Sequence, residues 1–111
     1  MKTTKLSLEK TMPLFPGLTA QIFTGEQLMG MRVMVKAGAC APAHSHPHEQ
    51  MSIVVQGEIE FTVGDEKKLL KAGDFLSIPG NVVHSAVAQT DTELYEFFTP
   101  MREDLIERYA L

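Results

Sequence analysis

Short apolar runs, broken at close intervals by turn residues, constrain the fold of this chain more than any other feature. Ile59, Phe61 and Val63 alternate strictly with less apolar residues, which is the pattern of a strand with one buried face. Gly64-Asp65 then predicts a tight turn into a second strand over Glu66 to Leu70. Many short strands joined by glycine-containing turns indicate an antiparallel sandwich or barrel. We therefore predict an all-β domain with about six to ten strands.

Further apolar segments extend this interpretation along the chain. They are predicted as strands, and they run over Leu28 to Val35, Met51 to Val55, Phe75 to Ile78, Val82 to Val87 and Leu94 to Phe98. Only the C-terminus departs from the strand pattern, because Leu105, Ile106 and Tyr109 recur at helical spacing. Pro100 suits the first turn of a helix. We predict one short amphipathic helix over Met101 to Tyr109.

The length of 111 residues allows one domain with a single hydrophobic core. We divide the chain into an N-terminal arm, residues 1–12, and a barrel with its C-terminal helix, residues 13–111. Phe61, Phe75 and Phe97 are core candidates. Cys40 is the only cysteine and has no histidine or acid beside it in sequence, so we predict a buried or half-buried apolar residue.

Charge and hydropathy exclude several classes of partner. The formal net charge is −4, and no basic run is longer than Lys67-Lys68, so nucleic acid and anionic membrane surfaces are not expected partners. No apolar stretch approaches the length of a membrane span. With one cysteine, no internal disulfide can form, and a reducing cytoplasm is the predicted location. A small chain with exposed strand edges commonly pairs with itself, so we also predict a homodimer.

All four histidines lie in the central part of the chain, three of them between His44 and His48. In an extended segment alternate residues share a face, so His44 and His46 are predicted to point at one spot. His84 follows a predicted strand boundary much further along. Imidazoles from separate segments, with a nearby amide or carboxylate, form a plausible ligand set for one divalent metal ion. Taken singly, each histidine would more simply be a solvated surface residue; it is the set that indicates a metal site.

The spacing of these residues resembles the two motifs of the cupin family. The first motif is matched by Gly38, His44, His46, Gln50 in place of the usual acid, and Gly57; the second is matched by Gly73, Pro79 and His84. The second motif's later glycine falls one place early, at Gly80, and its terminal asparagine is Ala88. The resemblance implies a single-domain cupin, a jelly-roll barrel or double-stranded β-helix. It also implies a metal in the lumen, bound by His44, His46, Gln50 and His84.

A closer resemblance extends over most of the chain. The run from His44 to Gln50, together with the run from Glu96 to Asp104, is similar to small cupins of pectin and alginate breakdown. Those proteins convert 4,5-unsaturated uronates to the linear keto form. They carry an acid, a Phe two residues later and an Arg four further on, which Glu96, Phe98 and Arg102 match, with Glu where Asp is usual. The resemblance implies that Glu96 moves protons, Phe98 packs on the sugar, and Arg102 holds its carboxylate.

Gln50 bears most on which chemistry the site would perform. A carboxylate there would reduce the charge of a divalent site to +1, whereas an amide leaves it at +2, which favours an anionic small molecule such as an acid sugar. The set also differs from the two-histidine, one-carboxylate arrangement of oxygen-activating iron. Because ketonisation needs no redox step, Zn, Ni, Mn or Fe could all serve.

Several alternatives stay open at this point. Gln50 could be only a polar residue of the lumen, and Arg102 could be solvated or paired with Glu103 or Asp104. His48 is expected near the mouth of the barrel. The rival functions are another cupin enzyme, such as a sugar isomerase or a dioxygenase, and a non-catalytic metal- or sugar-binding module.

Overall fold

The computed structural model describes residues 1–111 and contains two antiparallel sheets. The strands are β1 (Met12–Phe15), β2 (Leu18–Thr24), β3 (Met29–Val35), β4 (Cys40–His44), β5 (Glu49–Gln56), β6 (Glu58–Val63), β7 (Glu66–Lys71), β8 (Phe75–Ile78), β9 (His84–Ala88) and β10 (Thr92–Thr99). A 3-10 turn over Leu6–Leu8 precedes them, and helix α1 (Glu103–Tyr109) follows. The predicted all-β fold with a short C-terminal helix is confirmed.

The two sheets enclose the core between their inner faces. The six-stranded sheet has the order β1-β2-β3-β10-β5-β8, and the four-stranded sheet has the order β4-β9-β6-β7. From β3 onward the chain passes repeatedly from one sheet to the other, so neighbours in space are distant in sequence. On β3, Met29, Met31 and Val33 face inward and are buried, while Arg32 and Met34 face outward, as alternation along a strand requires.

The strand predictions were correct where apolar residues alternate and incomplete elsewhere. The hairpin at Gly64-Asp65 joins β6 to β7 as expected, and Gly64 has a positive φ of 57°. Strands β1, β2 and β4 were not predicted. The helix begins at Glu103 rather than Met101, because Arg102 has a non-helical ψ of 88° and acts as the N-cap.

Three burial predictions were wrong, whereas Phe61 lies in the core as expected. Phe75 and Phe97 are 64% and 39% exposed. Both lie on the outer face of the six-stranded sheet. On β10, Phe97 and Phe98 are consecutive and therefore point to opposite faces, and Phe98 is the one that points inward. Cys40 is exposed because it begins β4, an edge strand that pairs only with β9.

The N-terminal segment lies along β2. The Gln21 amide donates hydrogen bonds to the carbonyls of Leu6 (2.7 Å) and Glu9 (3.1 Å), and β1 begins at Met12. The division of the chain at residue 12 stays a prediction. Neither helical segment combines the length and the apolar character that crossing a bilayer would require.

Candidate metal centre

Three histidines meet on the inner side of the barrel. His44 ends β4 and pairs across the strands with His84, the first residue of β9, and their ring centroids are 4.3 Å apart. The ring of His46 is 4.9 Å from that of His84. Each of the three offers a ring nitrogen within 4.8 Å of the others. They are therefore positioned as a possible metal site.

The strand placement of His46 differs from the prediction. His44 and His46 were expected to share one strand, but β4 ends at His44 and His46 lies in the link to β5. The following residue is Pro47, which has no N–H to offer a neighbouring strand, so the pairing stops before it. The two rings still converge, with centroids 5.8 Å apart.

Main-chain carbonyls set the tautomer of His44 and His84. Each imidazole of the cluster has Nδ1 within hydrogen-bond distance of a carbonyl oxygen two residues away, and the pairs are His44 with Pro42 (2.7 Å), His84 with Val82 (2.8 Å), and His46 with His48 (3.2 Å). A carbonyl oxygen only accepts, so in His44 and His84 it is Nδ1 that donates. In the neutral tautomer the lone pair is then on Nε2, which is the arrangement of a metal-binding histidine.

The remaining polar atoms of the cluster fit a cation. Nε2 of His84 is buried and has no hydrogen-bond partner. Nε2 of His46 lies 3.2 Å from Oε1 of Gln50, the same distance that separates its Nδ1 from the His48 carbonyl, so the neutral ring donates to one of these two acceptors and leaves the other nitrogen with a free lone pair. Burial lowers the pKa of His46 to about 4 and also lowers the pKa of His84, which keeps both rings neutral near pH 7. A divalent ion would satisfy these lone pairs together.

Gln50 belongs to a hydrogen-bonded network with Ser52 and Glu96. Strand pairing sets Ser52 opposite Glu96 on the inner faces of β5 and β10. Oε2 of Glu96 accepts from the Gln50 amide (2.6 Å) and from the Ser52 hydroxyl (2.8 Å). Because an ionised carboxylate only accepts, it turns the amide nitrogen of Gln50 toward itself and the amide oxygen toward His46. Glu96 thus orients Gln50 toward the histidines.

Ser52 was missed at the sequence level, although a signal was present. It lies two residues after Gln50, and therefore on the same face, in a strand whose other inward residue is Val54. A fully buried serine on the inward, otherwise apolar face of a strand needs a polar partner for its hydroxyl group. That partner is Glu96.

Glu96 has the environment of a proton-transfer group. Burial raises the pKa of its carboxyl group, against the opposing effects of Ser52, Arg102 and Gln50. A carboxyl group with a raised pKa holds its proton to higher pH than a free one, which suits it to proton transfer inside a cavity.

Phe98 and Arg102 form the wall next to the cluster. Phe98 is buried, with its ring centroid 5.6 Å from that of His46, and the guanidinium carbon of Arg102 lies 5.0 Å from the centre of the Phe98 ring. Arg102 donates to both carboxylate oxygens of Asp104, at 3.0 and 2.7 Å, and this bond lowers the pKa of Asp104. The sequence left open whether Arg102 pairs with Asp104, and the structure contains this pair. Nη1 of Arg102 does not contact a carboxylate.

One cavity, open to solvent at its mouth, lies against this cluster. Its polar wall consists of His44, Gln50, His84, Ser85, Glu96, Arg102 and Arg108, and apolar residues make up the rest. A mostly apolar wall with a few convergent polar groups is typical of ligand sites. His48 is buried and supports His46 through its carbonyl; its ring is not part of the cavity wall.

Comparison with known proteins agrees with this fold. The sequence profile of the cupin domain matches residues 31–98. The chain is a cupin. It is 31% identical over 93 residues to the pectin degradation protein KdgF of Dickeya dadantii, a match covering 81% of this chain and 84% of that relative. The resemblance to the pectin-degradation cupins is thereby confirmed.

Solved structures of similar cupins extend the comparison. An RmlC-like cupin from Shewanella frigidimarina superposes with a TM-score of 0.87 at 33% identity, covering 92% of this chain and 93% of its own. KdgF from a Halomonas species superposes with a TM-score of 0.81 at 32% identity, covering 86% and 90%. The whole barrel is therefore shared with these cupins.

Proposed function

We propose that this cupin is a metal-dependent enzyme that opens and ketonises a 4,5-unsaturated uronate in pectin or alginate breakdown. One observation carries the proposal: Glu96, whose pKa burial raises, is hydrogen-bonded to the same Gln50 amide that faces the histidines. A proton-transfer group and a candidate cation site are thus adjacent in one cavity. The similarity to two KdgF proteins, one of them described as a pectin degradation protein, supports the same assignment.

The proposed reaction is an isomerisation in which atoms and electrons balance. The ring oxygen of a 4,5-unsaturated uronate is part of an enol ether beside the carboxylate. Loss of the anomeric hydroxyl proton forms the aldehyde and breaks the bond from the anomeric carbon to the ring oxygen. That oxygen leaves as an enolate, and a proton added at C4 gives the ketone. One proton moves, and no oxidant is required.

Glu96 is the group that would carry this proton. Its Oε2 is held by Gln50 and Ser52, so Oε1 is the oxygen left for exchange with the substrate. The same carboxylate would accept the hydroxyl proton and return it to carbon, which restores its starting state after each turnover. A raised pKa suits this double task because neither direction of transfer is then strongly uphill.

The candidate ligands have a separate task. His44, His46 and His84, with the amide oxygen of Gln50, would hold the ion, which could be Zn, Ni, Mn or Fe. When bound, a divalent ion supplies positive charge that stabilises an enolate oxygen. No ligand in this set is anionic, so the full charge of the ion would act on an anionic substrate.

Arg102 and Phe98 would orient the sugar. A guanidinium has five N–H groups, and Asp104 takes only one from Nε and one from Nη2. The groups left on Nη1 and Nη2 form a second edge that can donate to a substrate carboxylate. Phe98, beneath the guanidinium, presents an apolar surface to one face of the sugar.

A homodimer and a cytoplasmic location belong to the proposal as its finer predictions. The lone, exposed Cys40 is compatible with a reducing compartment.

The test follows the ultraviolet absorbance of the 4,5-double bond in pectin and alginate digested with a lyase. The wild-type protein, loaded with each metal in turn, should accelerate the loss of this absorbance. Glu96→Gln should keep metal and substrate binding, measured by elemental analysis and calorimetry, and lose about 10²- to 10⁴-fold in turnover. Arg102→Ala should instead raise KM more than it lowers kcat.

A matched control lies on the same strand. Glu93 faces outward from β10 and pairs with Arg32, so Glu93→Gln removes a carboxylate of the same strand without entering the cavity. Its turnover should match that of the wild type. Absorbance that decays at the spontaneous rate with every metal and every uronate would contradict the enzymatic proposal, while metal binding without turnover would favour a non-catalytic binding module.

A further inference from the structure

Residues 45–48, which carry His46, have little support from the two sheets. They lie between β4 and β5, and Pro47 among them has no N–H to donate. One main-chain hydrogen bond joins this segment to another part of the chain: the Asn81 N–H donates to the His46 carbonyl at 2.7 Å. His46 is nevertheless buried, with its ring beside those of the other two histidines of the site. Its position therefore depends on what packs against the segment from outside the sheets.

A turn over residues 79–82, between β8 and β9, provides this support. The Asn81 N–H belongs to this turn, and so does the Val82 carbonyl, which accepts a hydrogen bond from Nδ1 of His84 at 2.8 Å. The carbonyl of the next residue, Val83, accepts from the Gly64 N–H at 2.8 Å and attaches the turn to the β6–β7 hairpin. One anchored turn thus contacts two ligand candidates that are distant in sequence.

Gly80 allows the turn to lie directly against residues 45–48. A side-chain carbon at Gly80 would lie 3.2 Å from the carbonyl carbon of Pro47 and closer still to its oxygen, inside van der Waals contact. These atoms belong to the main chain, so they cannot rotate away as the end of a side chain could. Gly80 has no positive φ, so the close contact, and not the backbone conformation, requires glycine here. A larger residue would push the segment, and His46 with it, away from the turn.

Asn81 sets the direction of the N–H that reaches His46. Its φ of 65° lies in the left-handed region, which asparagine tolerates far better than a β-branched residue does. The side chain of Asn81 is exposed, so this residue contributes its backbone conformation and its N–H to the contact. Gly80 and Asn81 therefore act together: one permits the close approach, and the other directs the hydrogen bond across it.

We propose that Gly80 and Asn81 are positioning residues that hold His46 within reach of the ion bound by the other ligands, an inference that rests on the metal site of the proposed function. Neither residue lines the cavity, so both act through His46. Histidine nitrogens bind a metal such as zinc at about 2.0–2.1 Å, which leaves little tolerance for a displaced ligand. Groups that support a ligand from behind typically contribute about 10- to 100-fold in metal affinity.

Competition with a chelator of known affinity tests this inference, with Zn²⁺ as the probe. The Kd of Gly80→Ala for Zn²⁺ should rise about 10- to 100-fold. Bound Co²⁺ reports the ligand geometry, so the visible spectrum of this variant with Co²⁺ should differ from that of the wild type. Asn81→Val should have the same two effects because a β-branched residue disfavours positive φ. Asn81→Gly, the conservative variant, keeps the conformation and should retain the Kd and the spectrum. If Gly80→Ala does not fold, the two Asn81 variants decide.

Gly73→Ala is the matched control. Gly73 has a φ of 93° and no atom within 4 Å of where a side-chain carbon would lie, so alanine strains the backbone there without displacing a neighbour. It should lower the Tm and leave the Zn²⁺ affinity and the Co²⁺ spectrum unchanged. A folded Gly80→Ala with wild-type affinity would overturn the inference, and so would an equal loss of affinity in Gly73→Ala or a wild-type protein that binds no metal. The expected pattern of metal binding without turnover would support the inference and contradict the enzymatic proposal alone.

Discussion

Ser52→Ala tests the network around Glu96 most directly. The Ser52 side chain is fully buried, donates to Oε2 of Glu96 at 2.8 Å and lies 3.1 Å from the Gln50 amide nitrogen. A hydrogen bond to a charged group stabilises that charge by about 1.5–3 kcal/mol. Loss of this bond should therefore raise the pKa of Glu96 further.

The sign of the stability effect follows from this shift. The pKa of Glu96 is raised in the folded protein, so this carboxyl group favours folding at low pH, and that contribution is lost as the pH rises through its folded pKa. Ser52→Ala raises the folded pKa further and penalises the ionised form only. The metal-free variant should therefore be less stable than the wild type by about 2 kcal/mol at a pH high enough to ionise Glu96 in both proteins, with little difference at about pH 4.

Thermal unfolding followed by circular dichroism, with chelator present, measures this difference. In that high-pH range we expect the Tm of Ser52→Ala to lie about 8 °C below that of the wild type. Ser77→Ala, on the exposed outer side of β8, serves as control and should change neither value. A Tm difference that is the same at both pH values would refute the reasoning, because it would mean that Ser52 contributes packing rather than support for an ionised Glu96.

Three further outcomes follow from the site. His46→Ala should abolish metal binding by calorimetry while leaving the strand-type circular dichroism spectrum intact; retained binding would contradict the ligand role. Because the pKa of His46 is lowered in the folded protein, the unfolded chain binds a proton there that the folded chain does not. His46 should therefore cost the metal-free wild-type protein about 2 kcal/mol of stability, after allowance for screening, as the pH falls from about 6.5 to 4. Denaturant titrations at each pH check this as the difference between the wild type and His46→Ala, because His84 and Glu96 titrate in both proteins. Asp104→Asn should raise the KM for an unsaturated uronate by about 3- to 10-fold with little change in kcat, because Arg102 loses its positioning partner. Glu103→Gln removes the same charge at an exposed neighbour and should leave KM unchanged. Equal effects of the two substitutions would point to local charge instead.

The sequence predicted those parts of the fold where one face of a strand is apolar and the other is not. Strand β6 satisfies this condition, with Ile59 and Phe61 inward and charged residues outward. Strand β4 does not, because Pro42 interrupts it and no apolar alternation marks it. Strand β10 carries large apolar residues on both faces, so alternation alone could not decide that Phe98 faces inward and Phe97 outward.

The candidate site was predictable as a set of residues but not as a network. Histidine spacing within the chain brought His44, His46 and His84 into one hypothesis. The contact between Gln50 and Glu96 joins residues 46 positions apart. It depends on the pairing of β5 with β10, which local pattern does not encode. The position of Ser52 opposite Glu96 depends on the same register.

The alternation along β5 has a consequence for how this protein can vary. Gln50, Ser52 and Val54 face the interior of the barrel, while Met51, Ile53 and Val55 face outward. Inserting or deleting one residue in this strand would exchange the two faces, turning the cavity residues toward solvent and the apolar residues into the lumen. Length changes in β5 should therefore be rejected by selection. The turn between β6 and β7 contributes no residue to the cavity wall and should accept them.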